Sequence, residues 1–282
     1  MINFDRTPYL DSGGTMYVKK LHCVIIFSIL SILLIGSYAA GEISVVGELY
    51  RERSTATGQS YEGTITVSNS SDSKATVKIY QTDYSTSASG KVIYGEPGSD
   101  PRSNSDWINI DQNRVQIAGN SRKSFRYEVR VPEKKLAGSY WSTIMIDPLV
   151  SSSAKTNNGG SMLTQTIRYC VKIVTNIGTT GKRKLEIADV ELYRKEGKIF
   201  LKVGAENSGD RVLFPQIWAD IYSTETGEKI NRFEGGRKHI FPGSSVSYNI
   251  ELSEISKGTY KTMLIFDNGD ENVWGAQFKL NL

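Results

Sequence analysis

From Gly41 to the C-terminus, apolar positions along the chain recur with a period of two. Thr64-Ile65-Thr66-Val67, Ala75-Thr76-Val77-Lys78-Ile79-Tyr80, Phe125-Arg126-Tyr127-Glu128-Val129-Arg130-Val131 and Val246-Ser247-Tyr248-Asn249-Ile250-Glu251-Leu252 all alternate. Successive side chains of a strand point to opposite faces, so this alternation predicts strands with one face on a core and one in solvent. Asn69-Ser70-Ser71-Asp72, Asn207-Ser208-Gly209-Asp210 and Asn268-Gly269 separate the runs with turn chemistry. No helical period extends beyond a turn or two. Many short strands at this spacing predict an all-β chain built as β-sandwiches.

The strand grammar occurs twice. Val67-Ser68-Asn69-Ser70, Ile117-Ala118-Gly119-Asn120-Ser121 and Gly138-Ser139-Tyr140 lead in order to Ile144-Met145-Ile146-Asp147. Ala205-Glu206-Asn207-Ser208, Phe241-Pro242-Gly243-Ser244-Ser245 and Gly258-Thr259-Tyr260 lead in the same order to Leu264-Ile265-Phe266-Asp267. A duplicated unit explains both copies. The expectation is two tandem immunoglobulin-like β-sandwich domains, residues 41–178 and 184–282, joined by a polar, glycine-bounded linker at 179–183. Ile65, Val67, Val129, Ile144, Val203, Ile221, Ile250 and Leu264 are the predicted core. Ser85–Ser105 reads as a long surface excursion around a short strand at Lys91–Tyr94, and Ser151–Ser161 as a loop. Met162–Thr175 is the longest strand candidate.

Residues 1–40 read differently. Lys19 and Lys20 precede an apolar run from Cys23 to Ile35, followed by Gly36-Ser37-Tyr38-Ala39-Ala40. A positive flank, a short apolar stretch and a small-residue exit make a signal peptide, cleaved after Ala39 or Ala40, with Met16 as the start. An uncleaved anchor is the alternative, because Leu21–Ala40 has about the ~20 residues needed to span a bilayer. Cleavage leaves no membrane span in the mature chain, and the product is exported.

Charge adds little. The whole chain carries a formal +4, and residues 1–40 hold three cations and two carboxylates, so the remainder carries +3. That balance gives no electrostatic case for nucleic acid. Cys170 is the single cysteine after residue 40, so no internal disulfide forms there; a buried thiol and an interchain pair both fit it. His239 is the single histidine after residue 40 and is placed at the surface or a strand end. No nucleophile elbow, phosphate loop, dinucleotide glycine run or zinc spacing occurs, which argues against an enzyme, a metal and a cofactor. Asp267-Asn268-Gly269-Asp270-Glu271-Asn272 has oxygen ligands for calcium, but Asn-Gly between strands is also a hairpin signal. Trp107, Trp141, Trp218 and Trp274 fit core or rim packing, with an aromatic sugar platform as the other reading.

One constellation points to protein binding. Along Leu163, Gln165, Ile167, Tyr169, Val171 and Ile173 one face is mostly apolar, while Arg168, Cys170 and Lys172 fall on the other. An exposed strand of this kind accepts a partner's strand by main-chain pairing; an interior sandwich strand shows the same alternation. Arg53 stands before Gly58 and the strand Gly63–Asn69, and Lys172 ends the run Ile167-Arg168-Tyr169-Cys170-Val171-Lys172. In these residues the first module resembles the N-terminal domain of periplasmic pilus chaperones, two-domain immunoglobulin-like proteins without catalysis. The resemblance implies strand addition to a pilin-like or surface subunit along Leu163, Ile167, Tyr169 and Val171. It also implies that Arg53 and Lys172 clamp the partner's terminal carboxylate. The Ser85–Ser105 insertion and the absence of the family's prolines around Trp107–Ile117 favour the alternative, a structural or adhesive envelope protein that binds a surface partner through loops.

Overall fold

The computed structural model describes residues 43–149, 166–252 and 255–282, and among them every regular element is a strand except a 3-10 turn at Ser105–Trp107. The first sandwich contains β1 (Ile43–Val46), β2 (Tyr50–Thr55), β3 (Ser60–Asn69), β4 (Ala75–Thr86), β5 (Val92–Gly95), β6 (Ile108–Ile110), β7 (Arg114–Ile117), β8 (Ser121–Arg130), β9 (Gly138–Pro148) and β10 (Tyr169–Ile177). One sheet has the order β1-β3-β8-β6, and the other β2-β10-β9-β4, with β5 and β7 both pairing β4. The second sandwich contains β11 (Leu185–Lys195), β12 (Lys198–Asn207), β13 (Gln216–Ser223), β14 (Lys229–Arg237), β15 (Ser245–Glu251), β16 (Thr259–Asp267) and β17 (Val273–Asn281). Its sheets run β11-β12-β15 and β14-β13-β16-β17.

The N-terminal strand changes sheets. β1 pairs antiparallel with β3, whereas β2 pairs parallel with β10, so the chain crosses the sandwich between Val46 and Tyr50. Gly47 makes the crossing at φ +91°, a backbone region that side chains with a Cβ rarely adopt.

Each alternating run buries its apolar phase. All eight predicted core residues have no measurable exposure. Ile65, Val67, Phe125, Val129, Ile144, Ile146, Val171 and Ile173 belong to one core, and Leu201, Val203, Ile217, Ile221, Tyr248, Ile250, Leu264 and Phe266 to the other. Burial of each large apolar side chain contributes about 1.5–3 kcal/mol. The two copies also share a polar pin. Asn69 Nδ2 donates to the carbonyls of Ser73 and Ile117 while its Oδ1 accepts from the Ser71 amide. Asn207 Nδ2 donates to the carbonyls of Arg211 and Ile240 while its Oδ1 accepts from the Gly209 amide. Both asparagines are buried.

Two expectations need correction. Ser85–Ser105 is not simply a surface excursion. The Asp83 carboxylate gathers the amides of Gly98 and Asp100 and the hydroxyls of Ser99 and Ser103, and Asn104, with no exposure, plugs the end of the first core. Asn104 Nδ2 donates to Ile173 O at 3.1 Å and to Thr175 Oγ1 at 3.0 Å. The candidate strand Met162–Thr175 is also shifted. Met162–Gln165 lie outside the described residues, Thr166–Arg168 are not in a strand, and β10 continues to Ile177. Specific contacts hold the expected linker, residues 179–183. Arg211 donates to the carbonyls of Gly178 and Thr180, and Arg183 pairs with Asp270 at 3.1 Å.

Candidate functional site

The outer face of the β2-β10-β9-β4 sheet meets two loops of the second sandwich, Ser208–Pro215 and Lys238–Ser244. Trp141 and Val174 pack on Phe241 in a small buried cluster of their own, with Tyr50, Tyr84 and Val212 around it. Trp141 Nε1 donates to Tyr84 O at 2.7 Å, which fixes the indole. Beside this cluster, Arg102 reaches across from the first sandwich. It ion-pairs with Asp210 and donates through Nη1 to the carbonyls of Ala137, Ser139 and Asp210. Ser139 Oγ donates to Asn176 and accepts from the Val212 amide. Gly138, at φ +80°, permits the approach, since a Cβ there would stand 2.1 Å from Asp210 O. The joint is therefore a packed and hydrogen-bonded surface.

Next to the joint lies a cleft of about 480 Å³ lined by Glu48, Leu49, Tyr50, Lys172, Phe214 and His239. His239 is half-buried rather than a surface or strand-end residue. Its ring lies between Tyr50, with centroids 3.7 Å apart, and Phe214, at 3.9 Å, so one imidazole links the two sandwiches. Burial lowers its pKa to about 4, so the ring is neutral at neutral pH. Lys172 Nζ lies 4.6 Å from the centroid of the Tyr84 ring, a cation–π contact at the cleft wall.

Arg53 and Lys172 do not share this cleft. β2 and β10 are neighbours, but the register pairs Lys172 with Tyr50 and Arg53 with Thr175. Directly paired residues share a face and the period is two, so the two cations project from opposite faces of the sheet. Arg53 lies 5.9 Å from the Tyr61 ring centroid and lines a separate cleft of about 370 Å³ with Arg51, Tyr61 and Tyr127. The predicted two-cation clamp is thus not assembled, because the three-residue offset between Tyr50 and Arg53 inverts the face.

The apolar residues of the constellation divide. Val171 is buried in the first core and Tyr169 packs partly against it, whereas Ile167 is exposed ahead of the strand; Leu163 lies outside the described residues. Tyr169, Cys170 and Val171 pair with β9 on one side, while β2 begins its pairing only at Lys172. The main-chain edge of those three residues faces no other strand among the described residues. Cys170 is half-buried, and burial pushes its thiol pKa up.

The other candidates resolve in the packing. Asp267–Asn272 forms a turn in which Asp267 accepts from the Gly269 amide and Asp270 from the Asn272 amide and the Asn268 side chain, while Asp270 also pairs with Arg183. No group of three or more His, Cys, Asp or Glu among the described residues is placed to hold a metal ion. Trp107 and Trp141 are buried and Trp274 packs at the edge of the second core, while Trp218 stacks under Arg232 at 4.6 Å on an outer sheet face. The sequence held no signal for the Tyr50–His239–Phe214 stack, whose members are far apart in the chain.

No curated protein matches the chain in sequence. In structure it is similar to pilus chaperones, the group its residues resemble. One such chain belongs to the CsuC–CsuE chaperone–tip adhesion subunit pre-assembly complex from archaic chaperone-usher Csu pili of Acinetobacter baumannii. It has 12% identity, covering 83% of this chain and 97% of that one, with a TM-score of 0.44. The class 5 fimbriae chaperone CfaA is similar at 13% identity, 85% and 100% coverage and a TM-score of 0.44. The E. coli chaperone DraB is similar at 16% identity, 85% and 98% coverage and a TM-score of 0.39. Residues 54–147, which run from the end of β2 to the end of β9 in the first sandwich, match the family model described as WxL Interacting Protein, peptidoglycan binding domain.

Proposed function

We propose that this chain is an exported, non-catalytic cell-envelope binding protein whose first sandwich attaches it to peptidoglycan while the second presents a surface to a protein partner. The match of residues 54–147 to a peptidoglycan-binding domain carries the reading, because it falls within one sandwich. The joint supports it: Arg102, Ser139 and Trp141 hold the second sandwich against the first. Export rests on the signal-peptide grammar of residues 1–40, which lie outside the described residues. Purified chain is mixed with purified sacculi and pelleted. Attachment predicts saturable co-sedimentation that soluble wall fragments compete away, and a chain left wholly in the supernatant refutes it.

A second reading is strand addition, favoured by the open main-chain edge at Tyr169–Val171. Here a partner's strand extends the β10 edge, Ile167, Tyr169 and Val171 set its register, and Lys172 meets its terminal carboxylate from the cleft side. Arg53, on the opposite face, takes part only as a separate contact. Under this reading Lys172→Ala loses the partner in an envelope pull-down while Arg53→Ala keeps it. Equal retention by both variants removes Lys172 from the site.

A further inference from the structure

A sheet edge is a row of unpaired amides and carbonyls, and natural proteins guard it with charges, bulges, short strands or a covering segment. The edges of this chain follow that rule almost throughout. β1, β5, β6 and β7 are three or four residues long. β2 carries Arg51, Glu52 and Arg53 in a row. β11 has a register shift between Ile187 and Val190 and five charged side chains, and β14 has two shifts against β13 and four charges. On β15, Lys238 donates to the Ser247 carbonyl and the Ala88 amide to Ser245 Oγ.

β17 is the exception among the described residues. It runs nine residues, Val273–Asn281, and pairs with β16 at every one of them without a shift. No described strand pairs with its other edge. It holds no proline and one charge, Lys279. Its side chains are also incompletely covered. Val273 is 58% exposed, more than any other large apolar side chain described, and Trp274 and Phe278 pack only partly against the second core.

We propose that β17 pairs antiparallel with β17 of a second copy of this chain, joining the two β14-β13-β16-β17 sheets across a twofold axis. The register that uses all nine residues centres on Gln277, which then faces itself. Gly275 faces Lys279 of the second copy, Trp274 faces Leu280 and Ala276 faces Phe278. Directly opposed residues share a face, so the half-covered apolar phase of each copy meets that of the other. The charges fit as well. The one cation of the strand meets a residue without a side chain, and the two lysines stand four residues apart, so no like charges are opposed. Alternate pairs of an antiparallel ladder exchange two hydrogen bonds, so nine pairs make about eight to ten, as many as a typical interface holds. A twofold arrangement closes on itself and leaves neither β17 edge open. The proposal goes beyond wall attachment and does not depend on it; a dimer presents two first sandwiches, which would strengthen retention on any surface they grip.

Sedimentation of the purified chain over a range of concentrations should show a monomer–dimer equilibrium. Gln277 is exposed, so a charge placed there leaves each copy folded, which a melt of dilute protein checks. Gln277→Lys puts like charges directly opposite and should weaken the dimer by up to about fivefold at low salt, an effect that high salt removes. Mixing Gln277→Lys with Gln277→Glu should give a heterodimer tighter than either variant forms alone, because residue 277 of one copy meets residue 277 of the other. Gln277→Thr should dimerise as the parent does. A parent that sediments as a monomer at every soluble concentration overturns the proposal, also where the chain takes up a foreign protein from an envelope extract. A dimer unaffected by Gln277→Lys, or a mixture no tighter than its components, assigns self-association to another surface and equally overturns it. No sacculi are present in these measurements, so their failure is distinct from a failure of wall attachment.

Discussion

Replacing Asn207 with alanine should unfold the second sandwich at a markedly lower temperature, and the size of the drop follows from its three hydrogen bonds. Nδ2 donates to Arg211 O at 2.7 Å and Ile240 O at 2.8 Å, and Oδ1 accepts from the Gly209 amide at 3.0 Å. Ile240 O keeps a partner in the variant, because the Leu213 amide also donates to it at 3.0 Å. Arg211 O and the Gly209 amide lose theirs. Each stranded group costs about 1–3 kcal/mol, giving roughly 2–6 kcal/mol in total. For a sandwich of this size, each kcal/mol lowers Tm by about 4–8 °C, so a fall of roughly 8 °C or more is expected. The assay is a thermal melt beside Glu206→Ala, an exposed neighbour on the same strand whose loss should stay within about 0.5 kcal/mol. Asn69→Ala should show a comparable loss in the first sandwich, since the same pin recurs there. If Asn207→Ala melts within the range of Glu206→Ala, the pin does not carry the stability argued for it.

The remaining predictions concern the joint, the core and two titrating groups. Arg102→Ala removes the ion pair with Asp210 and three carbonyl contacts, so limited proteolysis should cut near 178–184 faster while each sandwich keeps its β-spectrum. Gly63→Ala would put a Cβ 2.2 Å from the Tyr127 ring, displacing it, and should lower the melting temperature of the first sandwich by several degrees. Hydrogen bonding from Arg232, with Lys229 adding to it, holds Asp220 at about 2, below its ordinary 3.8. Its contribution is therefore complete above about pH 4 and lost as pH falls towards 2, so the parent's advantage over Asp220→Asn should shrink through that window. His239 is the opposite kind of group, a base that burial lowers from 6.5 to about 4. Unfolded chain binds its proton first, so stability falls as pH drops from 6.5 towards 4, and His239→Phe should flatten that slope in urea melts.

The alternation and the repeated Asn, Gly-turn and Gly-x-Tyr order were enough to read the all-β class and the buried phase of each strand, because side-chain period and turn chemistry are local properties. Asn69 and Asn207 were visible as repeat markers, though not as pins, since one acceptor of each lies over thirty residues away, at Ile117 and Ile240. Pairing register was not readable. The clamp of Arg53 and Lys172 assumed that two cations on adjacent strands meet, and a three-residue offset sends them to opposite faces. His239 looked like a surface residue because nothing nearby in sequence hints at Tyr50 and Phe214, whose rings arrive from a different strand and a different loop.

The most direct measurement is amide hydrogen exchange of the chain with and without saturating soluble peptidoglycan glycan fragments. The account predicts added protection within residues 54–147. Unchanged exchange throughout residues 54–147 at a fragment concentration that blocks sacculus binding would contradict it.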